Sequence, residues 1–352
     1  MIDHDFQLAW HVGDDWPEWG SRLRKPLVRF DGAHQGEWLD SIIGPDVVSG
    51  KPMVFHVVRC EICIGIHVWP LPNPATLAAY YQQIFYEQTK PEYLARYEAD
   101  RPWWEQCVHD RILDTCRDHL RLDCPEEERV RLLDIGAGPG IAADCARRRG
   151  WDVLALEPSG TCTARLRARG HCVWAGPLET FPPVRPQNES RRDPDRFHIV
   201  YAYEVLEHQP CPEDFVLRCH ALLEPDGLLA LCVPNDWNPL QLAACQQLGL
   251  PYYFLAPPQH LFYWTPKTLQ LLLRRCGFVL VEARGTYPME RFLLSGANYV
   301  GNETLGRACH RRRMIAELDA VGAGRWPALE YDYRQNLAQR LGREIVCIAR
   351  KM

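Results

Sequence analysis

Leu133-Asp134-Ile135-Gly136-Ala137-Gly138-Pro139-Gly140 is the stretch on which the fold turns. Residues 131–135 form a short apolar run of strand character, the glycines follow at G-x-G-x-G spacing, and residues 140–149 carry a helical pattern. Glycines at such a junction let the backbone turn sharply and leave main-chain N–H groups bare at the start of a helix, where a ligand can lie against them. The dinucleotide fingerprint, G-x-G-x-x-G, places its last glycine one residue further on. Here the last glycine comes early and Asp134 stands two residues before the first. A carboxylate in that place suits a cationic ligand group better than a pyrophosphate.

Strand and helix alternate outward from this turn. Residues 152–156, 171–174, 198–203, 228–233 and 278–282 read as strands, and 161–168, 213–223 and 265–276 as helices. Strands separated by helical segments of this length imply βαβ units and a mostly parallel sheet. Residues 344–349 supply a last strand after a polar-aromatic insertion over 285–341, and 182–196 reads as a solvated loop. Glu157 closes the second strand, 17 residues after Gly140, where a carboxylate can accept bonds from both hydroxyls of a ribose. Residues 1–75 differ: they hold five of the 12 tryptophans and β-like stretches at 54–58 and 64–69 that end at Pro70-Leu71-Pro72-Asn73-Pro74. Residues 76–125 read as a helical lead-in, with a polar joint at 124–128, and 126–352 as the α/β domain.

Composition narrows the function classes. Forty Lys and Arg against 45 Asp and Glu, a net charge of −5 over 352 residues, give no basic field for non-specific nucleic-acid binding. The apolar runs fall short of the roughly 20 residues a membrane span needs. Residues 1–20 are acidic, with no basic start followed by an apolar stretch, which argues against a secretory leader. Fifteen cysteines, an odd number scattered through apparent strands and helices, point to reduced thiols and a cytoplasmic setting.

The residues 133–140 resemble the first motif of class I S-adenosylmethionine-dependent methyltransferases, and further matches follow in that family's order. Leu154-Ala155-Leu156-Glu157 resembles its ribose-binding strand end, and Gly176-Pro177-Leu178-Glu179 its adenine-side loop. The run from Phe197 through Tyr203, Glu204, Glu207 and His208 resembles its fourth-strand motif, and Leu223-Glu224-Pro225-Asp226-Gly227 its turn before the fifth strand. Pro258-Gln259-His260, Thr265-Pro266 and Cys276-Gly277-Phe278 are similar to the later part of the branch that contains ubiquinone-pathway O-methyltransferases. The resemblance covers about residues 129–284 and the final strand. It implies a doubly wound, Rossmann-like sheet of seven strands whose last strand is antiparallel, with an N-terminal accessory segment. It also implies S-adenosyl-L-methionine as cofactor. Gly136, Gly138 and Gly140 would cradle the methionine part, with Asp134 near its amino or sulfonium end. Glu157 would sit on the ribose, Leu178 and Glu179 around the adenine, and Tyr203 beside the cofactor.

Glu204, Glu207 and His208 are spaced i, i+3, i+4 and would share one face if the stretch starts a helix. With His260 they offer two carboxylates and two imidazoles, a set able to hold a divalent metal. They resemble the metal-binding Glu-x-x-Glu-His plus His of small-RNA 2′-O-methyltransferases. The competing reading makes His208 or His260 a metal-free general base, since imidazole titrates near neutral pH. Cys60-x-x-Cys63, flanked by His56 and His67, resembles the N-terminal segment of methyltransferases that carry a zinc ribbon. Structural zinc usually takes two such knuckles and no second CxxC follows, so the expectation is a degenerate hairpin with two buried thiols. Arg147-Arg148-Arg149 and Arg311-Arg312-Arg313 are candidate phosphate contacts, the first reading better as a solvated helix end. Trp103, Trp104, Tyr252, Tyr253, Phe254, Phe262, Tyr263 and Trp264 are candidates for an acceptor pocket, with core packing as the default.

The expected protein is a methyltransferase acting on a small-molecule or glycan acceptor, at oxygen. An RNA 2′-O-methyltransferase with a divalent metal, an NAD-dependent oxidoreductase and an inactive cofactor-binding protein are the alternatives.

Overall fold

A computed structural model of the chain describes residues 27–31, 34–63, 65–121, 129–182 and 196–352. Residues 1–20, the polar joint at 124–128 and nearly all of the loop at 182–196 lie outside the described residues. Four strands come first: β1 (Leu27–Asp31), β2 (His34–Pro45), β3 (Pro52–Cys60) and β4 (Gly65–Trp69). A helical stretch follows, from Pro74–Gln83 to Asp110–His119, interrupted by π-helical turns at Phe85–Thr89 and Trp104–His109.

The α/β part then runs β5 (Arg131–Ile135), β6 (Asp152–Glu157), β7 (Cys172–Ala175), β8 (Phe197–Tyr203) and β9 (Leu223–Pro234). A two-residue strand, β10 (Phe262–Tyr263), comes next, then β11 (Phe278–Gly285) and finally β12 (Glu344–Lys351). Seven of these make one sheet, ordered β11-β12-β9-β8-β5-β6-β7. The pairs β5/β6, β5/β8, β6/β7 and β8/β9 are parallel, while β12 runs antiparallel to both β9 and β11. Reversal of strand order beside β5 is the topological switch point, where open α/β sheets bind ligands beyond the carboxyl ends of their strands.

The reason these segments become strands is visible in their burial. Leu132, Leu133, Ile135, Ile199, Val200, Leu229 and Leu231 are all nearly or wholly buried, as expected for central parallel strands covered on both faces. The insertion over 285–341 is helical: Glu290–Leu294, Glu303–Gly322 and Trp326–Ala338. Of its triple arginine, one member is taken up inside the protein. Arg313 is buried and paired with Glu317 at 3.2 Å and Glu344 at 3.6 Å. At the other triplet, Arg149 pairs with Asp110 at 2.6 Å and Asp114 at 2.8 Å, tying its helix to Asp110–His119.

The N-terminal strands form a separate antiparallel sheet in the order β1-β2-β3-β4-β10. Its last member comes from the α/β part: Phe262 pairs with His67 and Tyr263 with Ile66. Phe55, Val57, Ile66 and Val68 accordingly share one hydrophobic cluster with Leu133, Val200 and Leu231. Each such side chain contributes on the order of 1.5–3 kcal/mol by leaving water.

Candidate functional site

At the carboxyl ends of β5, β6 and β8 the helical lead-in and the α/β part enclose a cavity of about 440 Å³. Its floor is the glycine turn. Gly136, Gly138 and Gly140 all have positive φ, at 68°, 50° and 82°. A Cβ on Gly136 would stand 2.6 Å from Val205 Cγ2, and one on Gly140 2.5 Å from Leu166 Cδ2. These two positions therefore need glycine for shape as well as for backbone conformation. Gly136 and Gly138 line the cavity, while Gly140 caps the helix Ile141–Arg148 behind them.

Two carboxyls flank the turn. Glu157, at the end of β6, accepts from the Gly138 N–H and the Ser159 N–H, both at 2.8 Å. Burial pushes it up to about 7, against the pull of those two bonds. Asp134 is 2% exposed, and its Oδ2 has no hydrogen-bond partner among the described residues. Burial and the neighbouring Glu157 charge raise it to about 7 as well. Leu178 and Glu179, in the short helical turn Leu178–Thr180, line the same end. Tyr203 lines the cavity from the end of β8.

The opposite end is built from the stretch after β8 and the loop before β10. The three candidate residues of that stretch do not share a helical face. Glu204 sits in the left-handed region at φ 53°, and only Leu206–His208 form a 3₁₀ turn. Burial, reinforced by the Glu344 charge, raises the Glu204 carboxyl to about 7. Glu207 is wholly buried, both its oxygens lack partners among the described residues, and it is held well above the usual carboxylate range. Glu207, His208 and His260 each bring a donor atom within 4.8 Å of the others, and Glu204 is not in that group.

His208 is fixed by its Nδ1, which lies 2.5 Å from the Gln259 carbonyl and 3.0 Å from Tyr81 Oη. A carbonyl only accepts, so Nδ1 carries the proton and Nε2 holds the lone pair. Nε2 lies 3.8 Å from Glu207 Oε1. Burial lowers His208 to about 4 and His260 well below its usual range, so both rings are neutral at pH 7. Their centroids are 5.1 Å apart, and His260 Nδ1 has no partner among the described residues.

Aromatic rings close the space between the two ends. Tyr81, Phe85, Tyr86, Tyr93, Tyr97 and Trp104 line it, with His109 behind, where Nδ1 meets Tyr201 Oη at 2.7 Å. Of the eight aromatic candidates for an acceptor pocket, Trp104 lines the cavity. Phe254, Phe262, Tyr263 and Trp264 are core residues, and Trp103 is buried, reaching Glu317 with its indole N–H at 2.5 Å. The spacing of Tyr81, Phe85, Tyr93 and Tyr97 in the helical lead-in was the signal that could have found the collar. Among the described residues no Lys or Arg lines the cavity, whereas Asp134, Glu157, Glu179 and Glu204 do.

The family described as a methyltransferase domain matches residues 107–283. Ubiquinone biosynthesis O-methyltransferase of Rhodopseudomonas palustris strain BisB5 is 31% identical over 164 residues, which is 44% of this chain and 61% of that protein. The protein of the same name from Bradyrhizobium sp. strain ORS 278 gives 31% over 164 residues, with the same coverage of 44% and 61%. The chain thus spans about three-fifths of the length of the curated relatives it matches. Among solved structures, magnesium protoporphyrin IX methyltransferase from Synechocystis PCC 6803 is 11% identical at a TM-score of 0.47, over 80% of this chain and 100% of that one.

Proposed function

The chain belongs to the class I S-adenosylmethionine-dependent methyltransferases, and from that premise we propose that it methylates a hydroxyl oxygen on a small, uncharged, aromatic acceptor. The observation that carries the acceptor class is the cavity wall: rings on one side, carboxyls on the other, and no Lys or Arg among the described residues. A wall of that kind gives phosphate groups no Lys or Arg partner, which weighs against RNA and against a dinucleotide. It suits a flat apolar ring held by stacking and edge contacts. The name of the curated relatives, ubiquinone biosynthesis O-methyltransferase, supports oxygen as the methylated atom.

The residues present fit the cofactor. Asp134 offers an unpartnered carboxylate oxygen in a dry site, which calls for a cation. Gly136 and Gly138 line the cavity without side chains of their own, so a ligand can lie close against the main chain there. Asp134 and the glycine turn would hold the methionine end, Glu157 the ribose, and Leu178 with Glu179 the adenine. When bound, S-adenosylmethionine supplies an electrophilic methyl group on a positively charged sulfur.

The chain's own work is then orientation, water exclusion and proton removal. The aromatic collar keeps water from the reacting centre, so the acceptor hydroxyl meets few competing hydrogen bonds. His208 presents the lone pair of Nε2, its ring locked by the bonds at Nδ1. An imidazolium at 208 and a carboxylate at 207 are each disfavoured by burial, yet the two together are neutral overall. The pair therefore exchanges protons as a unit. A positioned base of this kind contributes about 10²- to 10⁴-fold.

A second reading is kept because Glu207 and His260 both present unpartnered donors beside His208. Those three groups would hold a divalent cation that lowers the acceptor's pKa. Methyl transfer from S-adenosylmethionine to a panel of phenols, catechols, uncharged glycans and RNA, with and without Mg²⁺ and chelator, tests both readings. The first expects chelator-resistant methylation of a hydroxylated ring. A preference for RNA or glycans would refute the acceptor class, and strict metal dependence would replace the base with the cation.

A further inference from the structure

Away from the cavity, at the outer end of the N-terminal sheet, four donors converge that the methyl-transfer reading leaves unused. Cys60 ends β3 and Cys63 lies in the turn that leads to β4. His67 lies on β4, and His34 starts β2. One ligand atom from each lies within 4.8 Å of all the others. His34 Nδ1 is 3.3 Å from Cys63 Sγ and 3.8 Å from Cys60 Sγ. His56, the other histidine flanking the CxxC in sequence, is elsewhere: its Nδ1 meets Ser41 Oγ at 2.9 Å.

We propose that Cys60, Cys63, His34 and His67 bind one structural Zn²⁺. Edges of about 3.3–3.8 Å follow for a tetrahedron built on ordinary Zn–N and Zn–S distances, so the cluster needs only slight contraction to close. The surrounding bonds prepare the donors for that role. The Cys63 N–H donates to Cys60 Sγ at 3.3 Å, and a thiolate accepts such a bond better than a thiol. His67 Nδ1 donates to the Val68 carbonyl at 2.8 Å, which leaves its lone pair on Nε2. That Nε2 belongs to a residue with 0% exposure and has no hydrogen-bond partner among the described residues. An imidazole whose far N–H is anchored on a carbonyl while the near nitrogen stands bare and dry is the arrangement of a metal ligand.

The backbone brings the two halves together. Gly36 pairs with Cys60, and a Cβ on Gly36 would come 2.0 Å from the Arg59 carbonyl oxygen. The Glu61 N–H also donates to the Gln35 carbonyl at 2.9 Å, holding the CxxC turn against the start of β2. On binding, both thiols release their protons to solvent, and two thiolates balance the divalent charge. All four positions are taken by the chain, so the site is structural rather than catalytic. Its histidine pair, His34 and His67, takes the place of the second CxxC that the sequence lacks. Because His67 pairs with Phe262, the metal would brace the strand junction between the sheet and the loop that carries His260.

The test uses the full chain, stripped with chelator under reducing conditions and titrated with Co²⁺. The expected result is visible d–d absorption of tetrahedral cobalt that saturates at one ion per chain and is bleached by Zn²⁺. His34→Ala and Cys63→Ser should lose that absorption or weaken binding at least tenfold, while His56→Ala keeps it. Metal analysis of untagged protein should find zinc near one equivalent. Folded wild-type protein that takes up no tetrahedral cobalt would overturn the proposal. So would equal binding by wild type and the His34→Ala variant, or loss of binding in His56→Ala alone.

Discussion

Asp134 is the residue on which cofactor recognition rests most heavily. Its unpartnered oxygen and raised pKa are two views of one fact, a carboxyl kept dry for a cation. Asp134→Asn removes the charge and leaves the shape; losing a charged hydrogen bond costs about 1.5–3 kcal/mol, roughly 10- to 150-fold in Kd for S-adenosylhomocysteine by calorimetry. The pH dependence has a defined sign. Only ionised Asp134 pairs with a cation, and it titrates at about 7 in the empty protein. Affinity should therefore fall as pH is lowered from 8 to 6, by up to about tenfold per unit below the pKa, and Asp134→Asn should reduce that slope to what Glu157, also at about 7, contributes. His208, lowered to about 4, stays neutral over the same range and adds no loss of its own. His208→Gln should lower kcat by about 10²- to 10⁴-fold while cofactor affinity stays within a few-fold. Asp134, Glu157 and the two histidines were legible because their types and positions follow the glycine turn. Tyr81, which holds His208 from 127 residues away, was not, since no local pattern encodes that contact.

At the scale of elements, the site is made by irregularities. The two π turns, Phe85–Thr89 and Trp104–His109, supply Phe85, Tyr86, Trp104 and His109 to the cavity. A π turn shifts the side chains that follow it around the helix axis, and such turns concentrate at functional sites. The helical lead-in was readable from its periodicity, but the turns inside it obey no periodic pattern. Glu204 shows the same limit: spacing of i, i+3, i+4 predicts a shared face only if the backbone is helical, and here φ is 53°. The strand-turn-helix at 131–148 was readable because glycine spacing dictates it. Gly140→Ala would force an L side chain to φ 82° with its Cβ 2.5 Å from Leu166 Cδ2. Strain of this kind costs about 1–3 kcal/mol, so thermal unfolding should begin several degrees lower. An unchanged melting temperature would show that the turn relaxes freely.

At the scale of the whole molecule, the accessory sheet and the α/β sheet are joined by a two-residue strand and one hydrophobic cluster. Sequence patterning set residues 1–75 apart as β-rich, yet β10 was too short to carry an alternation of its own. The buried acids set how the molecule responds to pH. Asp134, Glu157, Glu204 and Asp236 all titrate at about 7 when folded. Their folded pKa values lie above the unfolded ones, so the stability they confer is present at low pH and is lost as pH rises through 7. Cys107, Cys116, Cys145 and Cys347, pushed up to about 12, extend the same trend from pH 9 upward. The melting temperature of the cofactor-free protein should therefore fall between pH 6.5 and 9.5; a flat or rising curve would contradict the assignment of these groups as held neutral by burial.

The central claim is that the cavity over residues 134–140 receives a cationic sulfonium nucleoside through Asp134. Calorimetric titration of the full chain at pH 8 with S-adenosylmethionine, S-adenosylhomocysteine and NAD addresses it most directly. The account predicts binding of both adenosyl ligands, weakened by Asp134→Asn, and no heat from NAD. Binding of NAD, or adenosyl binding untouched by Asp134→Asn, would contradict it.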